Sequence, residues 1–196
     1  MRICSFTWNM SPKTTKYTNL LGTIYIATHQ EKEALGSFSK ALEENEDMVG
    51  AYSERSVLLF NKGDYAGALL DLNHAIQLTA EDSHLYLNRG KVHLILGQHQ
   101  EALADINQAI CLSHEDSHVN IEAFLHRGNV YLALSDYVSA VEDLSRVIVS
   151  NKGDKLTTEG LNRRGLAYYF LGEYETAIAD WQRCLQNNPE DAQINY

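Results

Sequence analysis

Proline is nearly missing from this 196-residue chain, where only Pro12 and Pro189 occur, one near each end. Nothing between them bars a long helix, because proline is the residue that removes an interior helical hydrogen bond and clashes with the preceding turn. Cysteine is scarce as well. Cys4, Cys111 and Cys184 are too few and too far apart for a disulfide scaffold, which fits a reducing, cytoplasmic setting. No stretch approaches the roughly 20 apolar residues of a membrane span. The opening MRICSFTWNM is broken by Ser5, Thr7 and Asn9 and makes a poor secretory core. Basic residues are outnumbered: 16 Lys and Arg stand against 26 Asp and Glu, for a net charge of −10 and a pI near 5.2. Nucleic-acid binding draws much of its affinity from cations on phosphates. That balance therefore argues against a nucleic-acid partner, and basic or neutral protein partners fit better.

What the chain has in quantity is repetition. The pattern of Leu85–Ile110, LYLNRGKVHLILGQHQEALADINQAI, returns before and after itself. Gly22, Ser56, Gly90, Gly128 and Gly165 share one position, and Ala34, Ala68, Ala102, Ala140 and Ala177 stand twelve residues later in every copy. A third set, Ala41, Ala75, Ala109, Val147 and Cys184, is small or modest in size. A glycine inside a helix costs about 1 kcal/mol relative to alanine, so its return in register points to close helix approach. Five units follow: 15–48, 49–82, 83–116, 121–154 and 158–191. Residues 1–14 fit none of them and read as a disordered lead or the remnant of a preceding helix; Trp8 and Phe6 there could pack on the first unit. Residues 192–196 form a short tail.

This spacing resembles the tetratricopeptide repeat, a helix-turn-helix unit of about 34 residues with small residues where its helices cross. The resemblance implies an all-α, right-handed α-solenoid of five such pairs, treated as a single array. The first unit is divergent, with helices expected over 15–28 and 31–44. In the second, Asn61-Lys62-Gly63-Asp64 reads as a turn with Asp64 capping a helix from about Tyr65 to Leu78. Turns are also read at Gly97, at Leu134-Ser135-Asp136 and at Leu171-Gly172-Glu173-Tyr174, with Tyr168, Trp181 and Leu185 facing inward in the last unit. The spacing slips by about four residues near Ser117–Asn120 and by three near Lys155–Thr157. Four residues is close to one helical turn, which predicts an N-terminal extension of the fourth unit's first helix.

A second regularity concerns charge. Arg55, Arg89, Arg127 and Arg164 stand directly before the small residue, and Asp71, Asp105, Asp143 and Asp180 stand sixteen residues later. The first unit has Leu21 and Ser37, losing both together. An Arg–Asp pair joining helices within a unit or across neighbours explains that joint loss.

Candidate catalytic chemistry is thin. His114-Glu115-Asp116-Ser117-His118 spells the zinc-protease signature, yet the same register one unit earlier reads Ala80-Glu81-Asp82-Ser83-His84, an inter-repeat turn that does not hold two ligands on one helix face. The acidic pairs Glu46-Asp47, Glu81-Asp82, Glu115-Asp116 and Glu190-Asp191 precede first-helix starts and read as caps. His74, His93 and His99 read as surface or satisfied half-buried residues. Cys111 and Cys184 have no convincing His and Asx partners for nucleophilic work. No glycine-rich phosphate loop occurs. No catalytic residue, metal site or cofactor is expected.

Stacked helix pairs expose an extended face for binding. Counting along the repeat places Asn19, Thr23, Glu54, Val57, Asn88, Lys91, His126, Asn129, Asn162, Arg163 and Leu166 on that face. Of these, Asn88, Lys91, His126, Asn129, Asn162 and Arg163 are the candidate groove residues for gripping a partner peptide or helix. Tetratricopeptide domains that clamp the acidic tails of heat-shock chaperones use a set of Lys, Asn and Arg residues on three successive first helices. Asn88 matches the middle position, but Ser53, Val57, Glu122 and His126 do not match the flanking ones, so that subtype is not expected. The leading expectation is a non-enzymatic protein-interaction scaffold. The alternative is a structural segment of a longer or self-associating array.

Overall fold

A computed structural model describes residues 12–115, 117–150 and 154–187. Among the described residues there are ten helices and no strand: α1 (Pro12–Ala27), α2 (Glu31–Glu44), α3 (Val49–Asn61), α4 (Tyr65–Leu78), α5 (Ser83–Ile95), α6 (His99–Leu112), α7 (His118–Ala133), α8 (Tyr137–Ser150), α9 (Asp154–Leu171) and α10 (Tyr174–Asn187). They form five helix-turn-helix pairs, an all-α fold of the α-solenoid class. The chain groups into two compact units, Met1–Ala80 and Glu81–Tyr196. Trp8, Phe6 and the tail at 192–196 lie outside the described residues. Helix α1 begins at Pro12, three residues ahead of the expected start, consistent with the tolerance of proline in a first helical turn.

Within each unit the same contact builds every pair. An ideal Cβ on Gly22 would lie 2.5 Å from the Phe38 ring, on Gly90 2.7 Å from Ile106 Cγ1, on Gly128 2.8 Å from Leu144 Cγ, and on Gly165 2.8 Å from Trp181 Nε1. A large side chain there would have to displace that neighbour or force the two helices apart. The large residue sixteen positions on is the nearest neighbour in each case, and at Gly90 the Ala102 carbonyl follows at 3.4 Å. The close approach expected of the small residues thus also seats a large side chain of the second helix on each glycine. Ser56 holds this place in the second pair and is 1% exposed. Its hydroxyl donates to the Ser53 carbonyl at 2.6 Å, so a buried polar atom is not left unsatisfied.

One residue earlier, each arginine makes the two-pronged contact that the sequence implied. Arg55 donates to Asp71 through Nε and Nη2 at 2.7 Å each. Arg89 holds Asp105 at 2.7 Å twice, Arg127 holds Asp143 at 2.6 and 2.8 Å, and Arg164 holds Asp180 at 2.8 and 2.7 Å. All four aspartates are buried. The hydrogen bond to its aspartate raises each arginine's pKa above the ordinary value, against the opposing effect of burial. A remaining guanidinium nitrogen reaches the second helix of the preceding pair: Arg55 to Ser39 Oγ at 3.1 Å, Arg127 to Asn107 Oδ1 at 2.7 Å, and Arg164 to Ser145 Oγ at 3.0 Å. The pairing is therefore both within a repeat and across neighbours. Aromatic faces flank the arginines, with Tyr52, Tyr86, Phe124 and Tyr168 rings 5.3 to 5.9 Å from the guanidinium carbons, which adds a cation–π contribution.

The first unit (α1–α4) closes over Ala34, Phe38, Ala41, Leu42, Ala51 and Leu58. The second (α5–α10) has one apolar cluster around Leu87, Ile106, Val119 and Val130, and another around Ile121, Leu125, Leu144 and Ala167. Turns inside the pairs repeat a left-handed residue at one register: His29 (φ 57), Gly63 (φ 80), Gly97 (φ 72), Ser135 (φ 61) and Gly172 (φ 82). Asp64 caps α4, its carboxylate accepting from Gly67 N at 2.9 Å, and α4 has the expected limits.

The register slips resolve as helix extensions. Helix α7 starts three residues before the position matching the start of α5, and α9 starts four residues early. Ser117 caps α7, accepting from Asn120 N at 3.1 Å, and the buried Asn120 amide donates to Ser113 Oγ at 2.9 Å. Of the acidic pairs, Asp82 does cap α5, accepting from His84 N, whereas the N-cap of α3 is Met48 with no side-chain bond. Leu185 is 50% exposed, contrary to the inward position read from the sequence, because no following helix in the described chain covers it.

Gly128→Leu and Ala102→Phe should each destabilise the protein by about 1–3 kcal/mol through overpacking, read as a marked drop in the circular-dichroism melting midpoint. Ser135→Gly should raise that midpoint, since a left-handed non-glycine residue costs about 1–2 kcal/mol, partly offset by glycine's freedom when unfolded. Arg127→Lys should lower it far more than Arg183→Lys on the exposed side of α10, because lysine cannot reproduce the fork on a buried carboxylate.

Candidate functional site

In the second unit α7 touches both α5 and α9, whereas among the described residues no two second helices are in comparable contact. The first helices therefore line the inner side of this unit. One register of that side carries Asn88, His126 and Arg163, and the next carries Lys91, Asn129 and Leu166. Asn88, Lys91, His126 and Asn129 are half-buried, while Asn162 and Arg163 are exposed.

These six candidates do not form one cluster. Lys91 of α5 donates to Glu122 Oε1 of α7 at 2.9 Å, and His126 Nε2 lies 3.6 Å from the same oxygen. His118, one turn before Glu122, places Nδ1 3.8 Å from its other oxygen. The centre of the site is thus Glu122, which the sequence reading set aside as a mismatch; its spacing of four residues from both His118 and His126 was the available signal. His126 and Lys91 together hold the Glu122 carboxyl at about 2, against burial, which pushes it up. By distance Lys91 makes the tighter contact. The Asn129 Oδ1 is enclosed with no hydrogen-bond partner. Asn162 contributes its backbone carbonyl to Trp181 Nε1 at 3.3 Å, and its side chain and that of Arg163 have no hydrogen bond or ion pair among the described residues.

Helices α7 and α9 enclose an open cleft of about 370 Å³ lined by His118, Glu122, Leu125, His126, Lys155, Leu156 and Glu159. Toward the other end of the first helices the lining turns apolar, with Ile95 51% and Phe170 53% exposed. The face therefore grades from charged to apolar along the helix direction, a surface suited to a chain with both kinds of side chain.

The zinc-protease signature straddles a helix boundary: His114 lies in the turn and His118 opens α7. No group of three His, Cys, Asp or Glu is placed to hold a metal among the described residues. Burial raises the Cys184 thiol pKa, and the thiol donates to the Thr158 carbonyl at 3.3 Å, an arrangement opposed to thiolate formation.

The depressed Glu122 pKa has a defined consequence for acid stability. A carboxylate pulled below its ordinary value of 4.5 contributes stability above that value, and the contribution is lost as pH falls toward about 2. Glu122→Gln should flatten the stability–pH curve in that window, measured by urea denaturation at successive pH values.

Comparison with known proteins agrees with this geometry. The sequence pattern described as "Tetratricopeptide repeat" matches residues 59–117 and again residues 158–191. No curated protein sequence matches the chain. Among solved structures, MamA 41-end from Desulfovibrio magneticus RS-1 aligns with a TM-score of 0.78 at 16% identity, over 95% of this chain and 99% of its own. A further MamA structure aligns at 0.76 and 19% identity, over 95% and 98%. YrrB, described as a TPR protein with an unusual peptide-binding site, aligns at 0.71 and 20% identity, over 88% and 86%. The matched pattern, the ten helices and the repeated Gly and Ala positions agree: the chain carries tetratricopeptide repeats at residues 59–117 and 158–191, and its ten helices are consistent with five such units.

Proposed function

We propose that this protein is a non-enzymatic interaction module that holds an extended peptide or a helix of a protein partner against α5, α7 and α9. The observation that carries this reading is the row of Asn88, His126 and Arg163 across three adjacent first helices, with Lys91 and Asn129 one turn further on. Amides and cations at these places contribute nothing to the apolar core, and they match the alternating donors and acceptors of a peptide backbone. Repeat proteins use such inner faces for binding. The chaperone-tail clamp is not part of the proposal, because Glu122 and Glu159 occupy positions where that clamp needs neutral or cationic side chains.

A second reading, a structural segment of a longer or self-associating array, is favoured by α10. Ile178 is 52% exposed there and Leu185 50%, whereas Ile148, at the register of Leu185 in the preceding pair, is 8% exposed. Light scattering at micromolar concentration separates the two readings, since a monomer counts against self-assembly.

Changing Asn129 and Arg163 together to alanine should leave the melting curve intact and weaken partner capture. An affinity pull-down in which the variant and the parent retain the same partners would remove the groove reading.

A further inference from the structure

Where α8 begins, α9 ends and α10 begins, five aromatic rings form a network that the core leaves largely outside. Tyr137 stacks on Phe170 with ring centroids 4.9 Å apart and planes at 15°. Tyr169 meets Phe170 edge-on at 5.5 Å and Tyr174 at 5.7 Å, and it leans on Trp181 at 6.4 Å. Trp181 is the anchor, seated on Gly165 with its indole N–H donating to the Asn162 carbonyl. The outer rings face water: Tyr169 is 49%, Phe170 53% and Tyr174 55% exposed. Contiguous rings left open in this way mark a contact surface.

What would cover these rings follows from how the protein treats its others. Tyr52, Tyr86, Phe124, Tyr131 and Tyr168 each lie 5.0 to 5.9 Å from a guanidinium carbon, an arrangement in which a ring face attracts positive charge. Among the described residues no cation is so placed over the five rings of the network. The turns that carry them lack cations as well. Residues 134–139, LSDYVS, and 169–176, YFLGEYET, contain Asp136, Glu173 and Glu175 but no Lys or Arg. The Glu173 and Glu175 side chains are exposed, with no hydrogen bond or ion pair among the described residues. Asp136 has one carboxylate oxygen on Ser139 N. Arg164, the nearest cation along the chain, is committed to Asp180 and Ser145. Arg163 stands seven residues before Phe170, about 10 Å along α9. Open ring faces and unmatched carboxylates thus share one end of these helices, and both favour a planar cation.

We propose that this aromatic end of α8, α9 and α10 docks an arginine-bearing segment of a partner protein, its guanidinium groups lying on the Tyr169, Phe170 and Tyr174 faces and donating to Glu173 and Glu175. Arginine fits better than lysine because its planar group stacks on a ring while its edge still donates to a carboxylate. The protein uses the same combination internally, where Arg164 lies over Tyr168 and grips Asp180. At the surface the ring and the carboxylate are present and the partner supplies the third member. An overall charge of −10 draws such a segment in. The network adjoins the inner face through Phe170 but uses none of Asn88, Lys91, His126 or Asn129, so it goes beyond the groove reading and is tested apart from it.

The test uses the full chain and fluorescein-labelled, end-blocked hexa-arginine, with hexalysine and hexaproline as comparison probes, in anisotropy titrations at neutral pH and one ionic strength. Hexa-arginine should bind about threefold to tenfold more tightly than hexalysine, the scale of one or two stacked guanidinium groups. Glu173→Gln with Glu175→Gln should weaken hexa-arginine binding by about the same factor. Glu31→Gln with Glu33→Gln removes the same charge from the exposed first turn of α2 and should have far less effect. Phe170→Leu with Tyr174→Leu keeps the net charge and an apolar surface, and should bring the two cationic probes to equal affinity. Melting curves establish that each variant is folded, and the exposed glutamate pair carries the test if the ring pair does not fold. Equal weakening by the two glutamate pairs would reduce the binding to net charge and overturn the proposal. So would an arginine preference that survives the ring substitutions, or tighter binding of hexaproline than of hexa-arginine, which would make the network a surface for proline-rich segments.

Discussion

The buried aspartate at the crossing of four of the five helix pairs is the constraint from which much of this structure follows. A carboxylate enclosed by two helices is tolerated only when its oxygens are fully engaged, and the arginine fork supplies both bonds in one plane. In the last three pairs the glycine beside that arginine then lets the second helix approach until an Ile, Leu or Trp side chain rests where a Cβ would be. Grip and close approach sit on consecutive residues, so one dipeptide fixes both the rotation and the separation of a pair. Such a buried ion pair adds less net stability than its short distances suggest. Its larger effect is on orientation, since a carboxylate that must meet a planar fork leaves few helix rotations open.

The same economy shapes the inner face of the second unit. Extending α7 and α9 by about one turn carries His118 and Lys155 beyond the ordinary start of a first helix, and the additional length supplies both to the cleft. Without those insertions the cleft would lose one imidazole and one ammonium group. The slips in repeat spacing thus have a chemical product as well as a geometric one. They add titratable groups to the inner surface while the stacking register of the pairs is retained.

Much of this was legible in the sequence because repetition is its own alignment. The joint loss of arginine and aspartate at Leu21 and Ser37 predicted a contact that four forks then display, and the limits of α4 followed from Asp64 and Gly63. The third partner of each arginine was not legible. Ser39, Asn107 and Ser145 lie at separations of 16, 20 and 19 residues from their arginines, because inserted residues intervene between some pairs. Glu122 was missed because it was compared with a template for another ligand and was not read against its own neighbours at four-residue spacing. The acidic caps were over-read: Asp82 caps its helix, but Ser117 does that work for α7, and α3 begins without a side-chain cap.

Because Arg55, Arg127 and Arg164 each grip their own aspartate and also reach back to the preceding second helix, repeats within each unit are tied by a shared residue in addition to apolar burial. The pair α1–α2 has Leu21 and Ser37 in place of the ion pair, and it joins this link as a recipient, through Ser39, beside the apolar cluster it shares with α3. Peeling that pair away strands no carboxylate, whereas opening any later pair exposes one. Within the first unit local opening therefore favours this pair, whose helices can lift away without breaking a charged clamp.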